Sequence, residues 1–152
     1  KKALKLTETL EMPKPDKTKL RKWNFDTFKQ HETKGSAYEN LNELPESVKQ
    51  IIDVENSENL VIQHNNDLAY SQVSEQAKND GVIIEGLHEA LVNHSELVQK
   101  YYMTQAVDID EHRLTALHTA LMNGGIFVYV PKNIDFKSLL QIATLISRSV
   151  GN

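Results

Sequence analysis

Residues 112–132 read HRLTALHTALMNGGIFVYVPK, and this stretch decides which fold the chain is expected to have. Its first half contains apolar residues that recur at helical spacing: Leu114, Leu117, Ala120 and Leu121. This period predicts an α-helix with one apolar stripe facing a core. Asp108 or Asp110 is expected to accept hydrogen bonds from the free N–H groups of the first turn, where a negative charge also suits the helix dipole.

The second half of the same stretch predicts a turn and a strand. Gly124 follows the last periodic residue, where a left-handed residue can end a helix without a Cβ clash. Residues 126–130 are β-branched and aromatic, which is typical of a short buried strand. Pro131 ends that strand because proline lacks a backbone donor. The residues therefore predict a helix, a hinge at Gly124 and Gly125, and a strand that enters a core.

The composition is that of one ordinary globular domain. With 152 residues, of which 39% are apolar and 25% charged, the chain can bury a core without a disulfide or a structural metal. It contains no cysteine, which excludes thiolate nucleophiles and sulfur ligation of a metal by this chain and agrees with a reducing compartment such as the cytoplasm. No apolar run approaches the roughly 20 residues of a membrane-spanning helix, and none resembles a secretory signal.

The charge is distributed unevenly, although the net charge is only −4. Residues 1–34 contain ten lysines and arginines against five acidic residues, and the remainder contains seven against sixteen. Pro13 and Pro15 oppose a continuous helix. Residues 1–34 are therefore predicted to form a basic, extended arm that leans on the acidic body of the same chain.

Three aromatic residues, Trp23, Phe25 and Phe28, lie within this arm. We expect them to anchor the arm to the domain, and the alternative is an exposed aromatic anchor for a partner subunit. The arm also leaves open a second function, a small module that binds RNA or protein through its basic charge. Nucleic acid is the less favoured partner, because the arm lacks the interleaved aromatic residues of a stacking platform.

Shorter elements are expected elsewhere, in this order: a helix at residues 45–53 with Val48, Ile51 and Ile52 as its stripe, a hairpin of residues 60–64 and 68–72, an inner strand at residues 82–84, and helices at residues 87–93 and 95–103. Asn65 and Asn66 suit the turn of the hairpin. From Asp135 onward, the spacing of the apolar residues predicts a short amphipathic helix. The threonine and isoleucines of that tail also permit a strand.

The six histidines raise the possibility of a metal site. His88 and His94 are six positions apart, as are His112 and His118, whereas two ligands on one face of a zinc helix are four apart. Surface or hydrogen-bonded histidines are therefore expected, with His118 at the domain edge. We predict no catalytic, cofactor-binding or metal-binding residue and no enzymatic activity. A metal-dependent hydrolase that uses His88, His94 or His112 is the weakest of three functions considered.

Three blocks of the sequence carry a family pattern. Residues 114–132 fill the form Ala-Leu-His-x-Ala, a glycine turn and Tyr-Val-Pro-Lys with Ala116, Leu117, His118, Ala120, Gly124, Gly125, Tyr129, Val130, Pro131 and Lys132. Residues 81–102 read GVIIEGLHEALVNHSELVQKYY, with Ser95 where the pattern more often has proline, and residues 19–25 read KLRKWNF, with Trp23 and Phe25. In all three blocks the chain resembles the SufB/SufD family, and in the last it resembles the SufD branch.

The resemblance implies an α+β fold: a helical N-terminal domain with a small mixed sheet that leads toward a right-handed parallel β-helix, which is mostly absent here. It divides the chain into a basic arm with its aromatic anchor at residues 1–34, a SufD-like α+β domain at residues 35–134, and a divergent tail at residues 135–152, where the β-helix would begin. It also implies a cytoplasmic scaffold subunit for iron–sulfur cluster assembly in the SUF system. Such a subunit would have a structural or docking role with SufB and SufC and no cofactor in this part.

Overall fold

The computed structural model describes residues 1–25 and 37–146. In chain order, the helices are α1 (Lys2–Thr9), α2 (Glu46–Lys49), α3 (Glu75–Asn79), α4 (Leu87–Asn93), α5 (Ser95–Tyr101) and α6 (Arg113–Leu121). The strands are β1 (Asn59–His64), β2 (Asp67–Gln72), β3 (Ile83–Gly86), β4 (Ile126–Tyr129) and β5 (Leu140–Leu145), and short 3₁₀ turns lie at Leu20–Lys22 and Leu41–Glu43. Helices together with small sheets confirm the predicted α+β class.

The chain divides into two compact units, which are described separately. The described residues of the first unit are 1–25 and 95–123, and those of the second unit are 37–94 and 124–146. The chain therefore leaves the second unit between α4 and α5 and returns to it at the diglycine. The predicted boundaries at residues 34 and 134 stay a prediction.

Strand β1 is the centre of the second unit. Within the described residues it pairs antiparallel with β2 and parallel with β5, so the sheet has the order β2-β1-β5 and is mixed, as predicted. Leu60, Val61 and Ile62 of β1 are 0% exposed. Alternate side chains of a strand face opposite sides of its sheet. Leu60 and Ile62 accordingly pack in one apolar cluster with Val48 of α2, and Val61 packs in another with Ile84 of β3.

The predicted hairpin is confirmed, whereas the helix before it is shorter than expected. Strands β1 and β2 are joined at Asn65, whose φ of 55° suits the left-handed conformation that asparagine tolerates. Helix α2 is four residues long rather than the predicted nine. Val48 and Ile52 are buried as predicted, but Ile51 is 70% exposed, because the chain leaves the helical path before a second turn could bring it to the core.

Two strands expected to be internal lie instead in a small, open sheet. Within residues 1–25 and 37–146, β3 and β4 pair only with each other, antiparallel, with Ile83 opposite Tyr129. Val128 and Val130 are 40% and 38% exposed. The prediction that residues 126–130 form a strand is therefore right, but the prediction that this strand is buried is wrong. In a two-stranded sheet, each strand has a neighbouring strand on one edge only.

The tail forms a strand, and the amphipathic helix predicted by its periodicity is wrong. β5 runs parallel to β1, with Asn59 opposite Leu140 and His64 opposite Leu145. The amide of Asn65 donates to the carbonyl of Leu145 at 2.8 Å, which extends the pairing into the hairpin turn. The second edge of β1 has backbone N–H and C=O groups that would stay unpaired if the tail formed a local helix. Pairing with this edge therefore favours a strand over a helix.

The first unit contains a helix where an extended arm was predicted. α1 occupies residues 2–9 and packs against α6, with Ala3 and Ala116 buried. Pro13 and Pro15 follow the end of α1 and so do not interrupt it. The carbonyl of Glu11 accepts a hydrogen bond from the amide of Arg113 at 2.9 Å, which ties the chain after α1 to the start of α6. The extended conformation is thus wrong for residues 2–9.

Helix α6 is capped by a histidine, and the expectation that Asp108 or Asp110 caps it is wrong. His112 Nδ1 accepts from the Thr115 amide at 3.1 Å, and Thr115 Oγ1 accepts from the His112 amide at 3.1 Å, which forms a capping box. The helix ends at Leu121, and the next residue, Met122, has a ψ of 122° and is no longer helical. The predicted order of helix, glycine pair and strand is confirmed, but Gly124 is not the residue that ends the helix.

Replacing His112 with alanine is expected to lower the free energy of unfolding by about 1 kcal/mol, because the Thr115 amide loses the imidazole acceptor and keeps only the His112 carbonyl, at 3.1 Å. His112→Asn should retain most of the stability, since asparagine is a good N-cap residue. Urea denaturation followed by circular dichroism measures both. His118→Ala, at an exposed position of the same helix, is the control. Equal losses for His112→Ala and His118→Ala would contradict the capping role.

None of the helices within residues 1–25 and 37–146 has the length and apolar character needed to cross a bilayer.

Candidate functional site

The diglycine segment connects three elements of the second unit. The amide of Gly125 donates to the carbonyl of Asn66, in the turn between β1 and β2, at 2.9 Å. The carbonyl of Gly125 accepts from the amide of Leu87, the first residue of α4, at 2.8 Å, which satisfies one of the donors that a helix start leaves free. Gly125 also leads directly into β4. We call Gly124 and Gly125 with these two hydrogen bonds the diglycine strap.

Both positions of the diglycine strap require glycine, for different reasons. Gly124 has a φ of 156° and Gly125 a φ of 141°, values that residues with a side chain rarely adopt. A Cβ on Gly124 would overlap the carbonyl oxygen of Asn66 and lie 2.8 Å from the Asn66 Cβ. A Cβ on Gly125 would have Leu87 Cδ2 as its nearest neighbour, at 3.9 Å. Gly124 is therefore required by close approach as well as by backbone conformation.

A small cleft of about 270 Å³ lies beside the strap. Its lining includes Asn66, Leu87 and the exposed side chains of His88 and Glu89. In the part of the chain that the structure describes, no group of three or more histidine, cysteine, aspartate or glutamate side chains is placed to hold a metal ion. His94 Nε2 lies 3.5 Å from Glu85 Oε1, whereas His112 Nδ1 caps α6. The histidines of the hydrolase hypothesis therefore have different partners among the described residues.

The Tyr-Val-Pro-Lys motif forms the end of β4 and the turn after it. Tyr129 is the last residue of β4, and Val130 is half-exposed beyond it. The Pro131 ring lies close to Gly81, where an added Cβ would be 3.3 Å from Pro131 Cγ, and the Pro131 carbonyl accepts from the Ile134 amide at 3.3 Å. Lys132 is exposed. This motif therefore directs the chain from β4 toward β5.

Strand β5 is held by a polar network that the sequence did not reveal. Gln141 Oε1 accepts from the Asp53 amide at 3.0 Å, and Gln141 Nε2 donates to the Asp53 carbonyl at 3.1 Å and to Ser57 Oγ. Asn59 is fully buried at the start of β1, where its Oδ1 accepts from the Ser74 amide at 2.9 Å. Because Asp53 and Gln141 are far apart in sequence, only the folded chain brings these groups together.

The Ala-Leu-His-x-Ala motif belongs to the first unit and is part of α6. Ala116 is fully buried, while Leu117 and Ala120 are partly buried. His118 is exposed. A buried alanine in a helix that packs against α1 lets the two backbones approach closely, so the described contacts of this motif are packing contacts.

Trp23 and Phe25 line a larger cleft in the first unit. The cleft measures about 1060 Å³ and is formed by residues 10–16, 18–20, 23, 25 and 113; we call it the tryptophan cleft. The two rings stack with centroids 5.9 Å apart and planes inclined by 22°, and Trp23 is 62% exposed. Trp23 thus has the geometry of an exposed anchor rather than of a residue packed into a core. Phe28 lies outside the described residues.

One carboxyl group in the tryptophan cleft has a shifted pKa. Lys14 Nζ donates to Glu11 Oε2 at 3.0 Å, and this hydrogen bond, with the attraction of the lysine charge, holds the pKa of Glu11 below its ordinary value of 4.5. Both side chains are more than four-fifths exposed. Glu11 therefore stays ionised at neutral pH and neutralises Lys14, which leaves Asp16, Lys19 and Arg113 as the other charged residues of the lining.

Known proteins resemble this chain over most of its length. Residues 40–142 match the family model of the SufBD protein N-terminal region. The chain is 44% identical over 140 residues to the iron–sulfur cluster assembly protein SufD of Bacillus subtilis (strain 168), an alignment that covers 91% of this chain and 32% of that protein. An iron–sulfur cluster assembly SufBD family protein of Staphylococcus aureus (strain USA300) is 28% identical over 151 residues, which cover 92% of this chain and 32% of that protein.

The family match covers most of the structural features of the second unit described above. The matched residues 40–142 include β1, the diglycine strap, the Tyr-Val-Pro-Lys turn and the first half of β5. The chain spans about a third of the length of the relatives it matches. From the family match and the identity to SufD, the chain belongs to the SufBD family, and residues 40–142 correspond to the N-terminal region of that family.

Proposed function

We propose that this chain is the N-terminal domain of a SufD-like scaffold subunit that takes part in iron–sulfur cluster assembly in the cytoplasm. Its role is structural: it docks within a complex that contains SufB and SufC, and it performs no chemical step. The observation that carries the proposal is the 44% identity to an assembly protein named SufD over 91% of this chain.

The composition of the chain supports a role without chemistry. It has no cysteine, so it cannot hold an iron–sulfur cluster, which would be the cargo of the complex, by thiolate ligands. The motif residues of the second unit make backbone hydrogen bonds and turns, as Gly125 and Pro131 do. A motif whose members shape the backbone serves to orient neighbouring elements, which is what a scaffold requires.

The edge of β5 is where the scaffold would continue. Within the described residues, β5 pairs with β1 on one side only, and Leu139, Ile142 and Ile146 are exposed. An open edge with exposed apolar side chains is normally covered in a soluble protein. We propose that the part of the subunit following this domain covers β5, and that the diglycine strap and Gln141 set the direction in which it does so.

A chimera tests the docking role. In Bacillus subtilis SufD, the N-terminal third is replaced by this chain, and co-purification of SufB and SufC with the tagged chimera is compared with that of intact SufD and of SufD lacking the same third. We expect the chimera to recover SufB and SufC as SufD does and the truncated protein to recover several-fold less.

The same chimera carrying Gly124→Val is the matched control, because it retains the length and charge of the domain but disrupts the diglycine strap. It should resemble the truncated protein. If the truncated protein recovers SufB and SufC as well as intact SufD does, the docking role of this domain is refuted.

A further inference from the structure

We propose that the tryptophan cleft binds an extended, acidic segment of a partner protein, with one apolar side chain of that segment placed on the exposed face of Trp23. This binding function concerns the first unit alone and does not rest on the proposed scaffold role. Its support comes from the ring geometry, the walls of the cleft and the distribution of charge.

The Trp23 ring is held in place before any partner arrives. One face stacks on Phe25, and the Trp23 amide donates to the Leu20 carbonyl at 2.9 Å, which closes the short 3₁₀ turn beneath it. More than half of the residue is nevertheless exposed. Ordering a large aromatic side chain in advance lowers the entropic cost of binding, and tryptophan is enriched among the residues that dominate binding energies.

The walls of the cleft suit an extended chain. Pro13 and Pro15 fix their own φ angles and offer no backbone donor, so this wall is stiff. Leu10, Met12 and Leu20 are partly buried and supply apolar surface. The volume of about 1060 Å³ is at the upper end of the range for small-molecule sites, which favours a peptide segment over a compact ligand.

The charge of this segment selects an acidic partner. Residues 11–23 contain five lysines and arginines against two acidic residues. Glu11 already neutralises Lys14. Lys17, Lys19 and Lys22 are exposed and make no ion pair among the residues that the structure describes. Cations beside an aromatic anchor, with no ion pair among the described residues, favour carboxylates on the partner and speed the encounter with it.

A peptide fits the cleft better than RNA does. Trp23 presents one exposed ring, whereas single-stranded nucleic acid needs successive stacking platforms along a basic groove. Glu11 and Asp16 also line the cleft. Their carboxylates can accept hydrogen bonds from the backbone N–H groups of a peptide, which phosphates cannot supply.

Trp23 itself reports on binding, because it is the single tryptophan of the chain. The complete chain is titrated with a short peptide of aspartate and glutamate that contains one phenylalanine, and with a matched peptide in which asparagine and glutamine replace the acids. We expect a saturable shift of the Trp23 emission with the acidic peptide, at least about tenfold weaker binding of the neutral peptide, and weaker binding as salt screens the charges.

Substitutions then locate the site, with binding measured by the anisotropy of labelled acidic peptide and folding checked by circular dichroism. Trp23→Ala should weaken binding about tenfold or more. Lys19→Glu should weaken it roughly threefold to tenfold. Lys5→Glu is the matched control: it makes the same change of charge on an exposed residue of α1, outside the cleft, and should leave binding unchanged.

This inference would be overturned if the acidic peptide does not bind, if both peptides bind equally, or if Lys19→Glu and Lys5→Glu have equal effects. Tighter binding of oligouridine than of the acidic peptide would also overturn it. So would a shift of the Trp23 emission that depends on protein concentration alone, because that shift would report binding of a second copy of the chain. The titration contains neither SufB nor SufC. Its failure would therefore leave the scaffold proposal standing, and failure of the chimera would leave this one standing.

Discussion

Replacing Gly124 with valine should lower the free energy of unfolding of the second unit by about 3 kcal/mol or more. A branched side chain at a φ of 156° is strained, and its Cβ would overlap the carbonyl oxygen of Asn66. That oxygen belongs to the backbone of the hairpin turn and cannot rotate away as a side chain could. To relieve the overlap, the chain must break the hydrogen bond from Gly125 to Asn66 and loosen the one from Leu87 to Gly125.

Chemical denaturation followed by circular dichroism measures this loss. Gly125→Ala is the matched control, because its φ of 141° is strained but its Cβ would meet only Leu87 Cδ2 at 3.9 Å. The control should cost about 1 kcal/mol. If Gly124→Val is no more destabilising than Gly125→Ala, the close approach to Asn66 does not hold in solution, and the diglycine strap loses its physical basis.

Replacing Ile62 with alanine should lower the free energy of unfolding by about 2–4 kcal/mol, since removal of a buried aliphatic side chain costs its transfer energy and leaves a cavity. Ile62 is 0% exposed and belongs to the cluster that joins β1 to α2. Leu60 and Val61, which precede it on the central strand, are also fully buried, so the site has little freedom to collapse around the smaller side chain.

Ile51→Ala is the matched control for this prediction, because it removes the same atoms from a residue that is 70% exposed. Its cost should remain within about 0.5 kcal/mol. Both variants are measured by urea denaturation under the same conditions. A large loss for Ile51→Ala, or a small one for Ile62→Ala, would mean that the core is not organised around β1.

The family residues were identified from the sequence, but their contacts were not. The pattern around Gly124 and Gly125 indicated a glycine pair between a helix and a strand, and that order is confirmed. The pattern assigned Gly124 to the end of the helix, whereas a Cβ at this position would overlap the backbone of Asn66, far away in the chain. Trp23 was expected to anchor the arm to its own domain, with an exposed anchor for a partner as the alternative; its 62% exposure and its place in a cleft depend on how the chain folds around it.

Alternation and periodicity in the sequence were sufficient for the hairpin at Asn65 and the helices α4 to α6, because these elements follow from local backbone preference and the period of apolar residues. The α+β class was implied by the family resemblance. Folding as a whole chose the strand at residues 140–145 over a helix, and the helix at residues 2–9 over an extended arm. Both depend on a partner distant in sequence: the free edge of β1 for β5 and the packing surface of α6 for α1. A segment departs from a weak local preference for one secondary structure when a distant partner pairs its backbone groups and buries its apolar surface. The locally preferred structure would leave those groups and that surface in water.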